Sequence, residues 1–450
     1  MRQIAPGIGA IAVLGIVLAV IPAMEAERPA AGQGQSISGR PAEGFEARAK
    51  AIVQALSSLG PRPVGSANES RAAAYVVEQF TRLGIPSRLE PFDFETFEAR
   101  GVELRMGSLR LTPACLGLDP YGEPPVIPYA GGFLLLAPRS PSDGPSFAAV
   151  EGKVIVTSEA DDPSLHFRLS ALRPKLIIYL LPEDFERIRA REDRELSLAG
   201  RGQFIKRTSV NVIARLGPNP PAPQVVIGAH MDAYRDSPGA SDNASGIAAL
   251  LALARIMKSS DRPEGFGLTF VAFGGEEAGV LGSRAFVERH REDLKDCRLA
   301  IVFDDLGGEG PLSVERLAGP PTPAQESRVS RIPADYRDRS WEGLQSRWRL
   351  LPPPSLFAAM GAVRHPLWLV ESVDEAVKES DFKVAVSGIQ GSDGLSFNLA
   401  GVPAVGISAP NGRSHTRADT PENVCLEGIR RATAVALRIV RRAPARSMEK

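Results

Sequence analysis

Cysteine is nearly absent: Cys115, Cys297 and Cys425 are the three in 450 residues, far apart and with no CxxC pair. That argues against a disulfide framework beyond one chance pair, and against a thiolate metal site. Net charge is also lacking, since 53 basic side chains meet 53 acidic ones. A chain without a basic excess carries no electrostatic footprint for nucleic acid. Repeats at solenoid periods and long low-complexity tracts are missing as well. What remains is globular in character. Hydrophobic residues make up 43% of the chain, enough for a sizeable core, and the length suggests about two domains.

The one long apolar run lies at the start. "MRQIAPGIGAIAVLGIVLAVIPAM" has a single positive charge and then an apolar stretch over residues 4–24, followed by a flexible tether to residue 43. It reads either as a secretory signal peptide or as a membrane anchor, so the body is expected to be exported: anchored facing outward, or secreted or periplasmic if cleaved.

Along the body, "GFEARAKAIVQALSSLG" and residues 69–84 place apolar side chains at helical spacing, and "PSRLEPFDFETF" alternates like a strand. Residues 100–204 change character. Short strand-like runs such as "GKVIVTS" and "KLIIYLLP" are separated by Pro, Gly and Ser, which predicts an inserted β-rich module. From about residue 208 a second rhythm begins. The apolar strands "QVVIGAHMD", "FGLTFVAFGG", "LAIVFDDLGG" and "GVPAVGIS" alternate with the helices "NASGIAALLALARIMKSS", "EAGVLGSRAFVERH" and "NVCLEGIRRATAVALRIVRR". This predicts an α/β fold with a mixed, mostly parallel central sheet and helices on both faces, formed by residues 44–99 and 205–445.

In such sheets ligands bind beyond the carboxyl ends of the strands. His230 and Asp232 follow the first of these strands, and Asp236 and Asp242 lie in "GAHMDAYRDSPGASDNASG" beyond it. Glu276 and Glu277 follow the second, Asp304 and Asp305 the third, and His415 the fourth, in "SHTRADT". Singly, each has a plainer reading as a turn, a helix cap or a helix start. Together they bring imidazole and carboxylate to one rim. That set suits zinc, with cobalt or manganese as lesser fits. A pair of dications would also offset the repulsion among so many carboxylates.

The segments "GAHMDAYRDSPGASDNASGIAALLALAR", "FVAFGGEEAGVLGSRAF", "IVFDDLG", "GSDGLSF" and "SHTRADT" resemble the co-catalytic dizinc exopeptidases of the bacterial leucyl aminopeptidase and glutamate carboxypeptidase type, over about residues 44–98 and 205–440. The insert loosely resembles a protease-associated domain. The resemblance implies His230 and Asp304 on one metal, Glu277 and His415 on the second, and Asp242 bridging both, with a cis peptide bond after it. It implies Glu276 as general base. Asp232 would hydrogen-bond His230 and fix its tautomer. Asp304 is preferred over Asp305 because the aromatic residue before it matches the family pattern. Asp393 would shape the pocket or support a ligand. His166, His290 and His365 match nothing and are expected to be structural or on the surface.

The implied chemistry is hydrolysis of a peptide bond by a metal-activated water, with Glu276 taking its proton and passing it to the departing amine. The leading expectation is an exported zinc aminopeptidase acting on peptides. Carboxypeptidase or dipeptidase activity is the near alternative. A glutaminyl cyclase-like acyltransferase and a non-catalytic receptor or scaffold stand further off. Residues 309–365, rich in Arg and Pro, are expected to form a partial lid.

Overall fold

The structure, a computed structural model, describes residues 44–111, 113–117, 129–136, 153–158, 176–180, 182–219, 223–234, 237–259, 266–315, 365–387 and 392–443. The expected leader or anchor over residues 4–24, the greater part of the expected lid, His166 and Asp236 lie outside the described residues. Among the described residues, no helix is long and apolar enough to cross a membrane.

The chain divides into two compact units. The larger takes in Glu27–Ala99 and Gly202–Lys450, the smaller Arg100–Asp119 and Pro124–Arg201. Two long strands, β1 (Ser87–Met106) and β8 (Glu195–Leu216), carry the chain out of the larger unit and back. In the smaller unit, β2 (Leu109–Leu111) pairs with the end of β1, and β4 (Tyr129–Gly132) with the start of β8. A separate sheet has the order β3-β7-β6-β5, formed by Pro113–Gly117, Leu176–Leu180, Val154–Ser158 and Leu134–Leu136. The helix α3 (Pro182–Arg189) adds Phe185 and Ile188 to a core with Val154, Val156, Leu176 and Ile178.

The sheet of the larger unit has the order β13-β12-β14-β11-β9-β10-β8-β1. Its centre is parallel: β9 (Gln224–His230), β10 (Gly267–Phe273), β11 (Cys297–Asp304) and β14 (Ala404–Ser408) run the same way. The strands β8 and β12 (Leu312–Glu315) run against them, and β13 (Val384–Ser387) is parallel to β12. The sheet is therefore mixed and largely parallel, as the continuous apolar runs predict.

Alternation sorts the side chains to two cores. Val225, Ile227, Leu268, Phe270, Leu299, Ile301, Val405 and Ile407 face one way. They pack under α1 (Phe45–Ser57), α4 (Gly246–Ser259), α6 (Leu367–Lys378) and α8 (Leu426–Arg442). Val226, Val271, Phe273 and Ala300 face the other way, against Phe286 of α5 (Leu281–Arg289) and Phe397 of α7 (Gly394–Leu399). Burying both faces of these strands fixes where they end, and so where the polar residues after them stand. On the first face α2 (Ala67–Arg82) also packs, through Ala72, Val76 and Phe80; Ser66 caps it by accepting from Glu69 N.

Two helices start later than their sequences predict. The helix expected from Glu277 begins at Leu281, because Gly275, Gly279 and Val280 have positive φ of 67°, 106° and 51°. The backbone N–H groups of Glu276 and Glu277 donate to Asp232 instead of entering the helix. Likewise Asp242 and Asn243 have non-helical backbones, and α4 begins at Gly246, whose N–H the side chain of Asn243 accepts at 2.9 Å.

Glu315, at the end of β12, makes a pH-dependent contribution. It is 1% exposed, and Oε2 accepts from Gly406 N at 3.1 Å. The other oxygen has no hydrogen-bond partner, and burial raises the carboxyl pKa to about 8 against the pull of the Gly406 bond. The native state thus holds a proton that the unfolded chain releases near pH 4.5. Its stabilising effect is complete below that value and is lost as the pH rises toward about 8. Glu315→Gln is expected to unfold at a higher temperature than the parent near pH 8, with the gain disappearing near pH 4.5. A difference between the two proteins that does not vary with pH would contradict this.

Candidate metal centre

The site residues stand at the carboxyl ends of the parallel strands. His230 is the last residue of β9 and Asp304 the last of β11. Asp242 lies in the kinked stretch before α4, Glu276 and Glu277 in the turn after β10, and His415 in the loop after β14. The sheet register pairs His230 with Phe273, so the turn after β10 begins beside the histidine.

These residues form two clusters that share one side chain. In the first, His230 Nε2 lies 3.2 Å from Asp242 Oδ1 and 3.3 Å from Asp304 Oδ1. In the second, His415 Nε2 lies 3.1 Å from Asp242 Oδ2 and 3.0 Å from Glu277 Oε2. Within each cluster the candidate ligand atoms all lie within 4.8 Å of one another. Asp242 thus turns one oxygen to each histidine, and the peptide bond after it is cis. Glu276 belongs to neither cluster; its Oε2 is 4.0 Å from His230 Nε2.

The electrostatics follow from burial and charge. Burial pulls the His230 and His415 pKa values down, yet both stand well above the usual range. Glu276 and Asp304 raise the first, Glu277 and Asp242 the second. Burial pushes Glu276 well up and raises Glu277. For Asp242 burial also acts upward, but the two imidazoles outweigh it and hold the carboxyl well below the carboxylate range. Two observations fit these residues to dications. Asp242 Oδ1 and Glu277 Oε1 are buried without a hydrogen bond. Each cluster also offers one nitrogen and two carboxylates, a donor set that suits zinc with a position left open.

Around the clusters lies a set of supports. Asp232 accepts from Glu276 N and Glu277 N, each at 3.1 Å. Its Oδ1 is 3.4 Å from His230 Nδ1, which makes no hydrogen bond. Asp232 therefore faces His230 across this 3.4 Å contact, and its shorter bonds to the backbone of the two glutamates also place the turn that carries them. Asp305 belongs to neither cluster; it has φ of 48° and accepts from the hydroxyls of Ser241 and Ser414. Burial raises its pKa to about 7. Asp393 is fully buried at the start of α7, and neither carboxylate oxygen has a hydrogen bond. Burial raises its pKa to about 7, with Asp232 and Asp304 adding to the rise and His230 opposing it.

Three supports have no role in the sequence reading. Arg62 is 0% exposed and donates to the carbonyls of Met231 at 3.0 Å, Leu56 at 3.1 Å, Pro238 at 2.6 Å and Gly239 at 3.0 Å. It therefore pins both ends of the loop between His230 and Asp242. Burial lowers its pKa to about 10, against the pull of Asp232, Asp419, Asp242 and Glu277. Gly239 has φ of 63°, and a Cβ there would lie 2.7 Å from Arg62 Nη2, so the pinned loop requires glycine. Asp419 accepts from Ser241 N at 2.7 Å and Asp242 N at 3.1 Å, which orients the shared carboxylate. Glu69 accepts from Gly65 N and Ser209 Oγ, and burial raises its pKa to about 8. His290 and His365 are structural: the first bonds Glu90 and Asp293, the second the Ala404 carbonyl.

With this geometry in view, likeness to known proteins is informative. Residues 211–335 match the model of peptidase family M28. The chain is 26% identical over 281 residues to aminopeptidase YwaD of Bacillus subtilis, covering 57% of this chain and 60% of that protein. It is 26% identical over 288 residues to the probable lipoprotein aminopeptidase LpqL of Mycobacterium tuberculosis, covering 56% of each. The chain thus spans less than two thirds of the length of these relatives. Among solved structures it resembles BSAP, a zinc aminopeptidase from Bacillus subtilis, with a TM-score of 0.61 at 19% identity over 88% of this chain and 94% of that one. An aminopeptidase from Aneurinibacillus sp. strain AM-1 aligns with a TM-score of 0.54 at 19% identity, over 88% and 93%. At such identities the structural likeness is one of fold.

Proposed function

We propose that the chain is a zinc aminopeptidase of the M28 peptidase family whose site holds two dications, a reading supported by the family-model match over residues 211–335 and by its aminopeptidase relatives. The observation that carries this reading is Asp242, whose two oxygens face the histidines of two separate clusters. His230, Asp242 and Asp304 would hold one ion, and Asp242, Glu277 and His415 the other. Bound there, the ions would lower the pKa of a water and polarise the substrate carbonyl.

The chain's own residues supply the rest. Glu276 lies beside the first cluster and outside both, so its carboxylate is available to take a proton and hand it to the departing amine. Glu277 is committed to the second cluster, and the adjacent pair divides the two tasks. Asp232 fixes both through their backbone N–H groups. Asp393, buried and within electrostatic reach of His230, Asp232 and Asp304, would shape the pocket or support a ligand. The smaller unit is read as a protease-associated-like insert, and residues 4–24 as the export signal or anchor of a protein working outside the cytoplasm.

The substrate follows from the relatives, which are named as aminopeptidases: a peptide with a free amino end. The test offers aminoacyl peptides, N-acyl-blocked peptides and peptides with a C-terminal Glu side by side, with and without a chelator. The expected result is cleavage of the aminoacyl set alone, abolished by chelator and restored by zinc. Preferential cleavage of blocked or C-terminal-Glu peptides would replace the aminopeptidase reading with another activity. Turnover unaffected by chelator would remove the metal reading itself.

A further inference from the structure

We propose that Tyr234 is a positioning residue that holds the His415 ring in its metal-binding orientation, a role that rests on the two-metal reading. The Tyr234 and His415 rings stack with centroids 4.9 Å apart and planes 20° from parallel. The two residues come from different parts of the fold. Tyr234 lies four residues beyond His230, the histidine of the first cluster, and His415 belongs to the second.

The platform under Tyr234 is tied down on both sides. Met231 N donates to Phe273 O at 2.8 Å, and Met231 O accepts from Arg62 Nε at 3.0 Å. Ala233 N donates to Arg62 O at 3.2 Å, and Ser237 N donates to Tyr234 O at 3.0 Å. The loop that carries His415 is a less regular support. His415 has φ of 64°, a conformation few non-glycine residues adopt, and lies in a turn rather than on a strand or helix. A rigid aromatic face against the imidazole limits ring rotation and keeps Nε2 toward Asp242 and Glu277. The stack thus ties His415, in the second cluster, to the pinned segment that follows His230.

The test compares Tyr234→Ala, Tyr234→Leu and Tyr234→Phe with the parent by chelator titration and by zinc titration of the metal-free protein, with thermal unfolding as a check on folding. In the parent, two ions are expected. In the Ala and Leu variants one ion should be lost at roughly tenfold lower chelator, the other keeping its parental affinity, since an aromatic pair contributes on that scale. Phe, which keeps the stack, should behave as the parent. Equal retention of both ions in folded Ala and Leu variants would overturn the proposal, as would a Phe variant as impaired as Ala. A parent holding fewer than two ions would overturn the two-metal reading first and this role with it; a parent with two ions and unaltered variants would overturn this role alone.

Discussion

Glu276→Gln is expected to keep its zinc and lose its turnover, with kcat reduced at least about a hundredfold and KM little changed, the scale of a lost general base. Three features of the site support this. Glu276 Oε2 lies 4.0 Å from His230 Nε2, close to the first cluster, yet is not among its candidate ligands. Its backbone N–H is fixed by Asp232, so the amide side chain can occupy the same place without moving the turn. An amide also matches the carboxylate in size while it cannot accept a proton in the same way. Metal content and steady-state kinetics on the same preparation check the result. A Gln variant as active as the parent would remove Glu276 from proton transfer. A variant that had lost zinc would make it a ligand instead.

Asp242→Ala is expected to lose both ions at once, whereas Glu277→Ala or His415→Ala should lose the second and retain the first. The difference follows from the two oxygens of Asp242, one near each histidine at 3.2 and 3.1 Å. Outer-shell partners alone typically change metal affinity by about 10- to 100-fold, so removing a shared ligand should weaken each site by at least about a hundredfold. Zinc counted per chain after dialysis distinguishes the variants. Loss of a single ion from Asp242→Ala would show that the carboxylate serves one cluster and not both.

What the sequence makes legible here depends on range. The parallel strands are plain in it because β9, β10, β11 and β14 are buried on both faces and so read as unbroken apolar runs. The residues at their carboxyl ends follow directly from those runs, and His230, Asp304, Glu277 and His415 come together with Asp242 in two clusters. Arg62 is different. Its significance lies in the carbonyls of Met231, Pro238 and Gly239, some 169 to 177 residues away, and nothing in "GPRPVG" marks it. Asp419 is hidden for the same reason: it is inside the quoted "SHTRADT", but its partners are the N–H groups of Ser241 and Asp242. The start of α5 is obscured by competition. Residues from Glu277 onward have a helical pattern, but Asp232 claims the N–H groups of the turn and Gly279 and Val280 take positive φ. Local pattern thus locates the ligands, while the atoms that orient them are set by contacts far apart in the chain.

Asp242, with one oxygen toward each cluster, is the residue on which a two-ion site turns. Counting zinc bound per chain in the purified parent protein, after dialysis against metal-free buffer and reloading, tests that directly. Two ions per chain are expected, both removed by chelator and both absent from Asp242→Ala. One ion or none in the folded parent would contradict it.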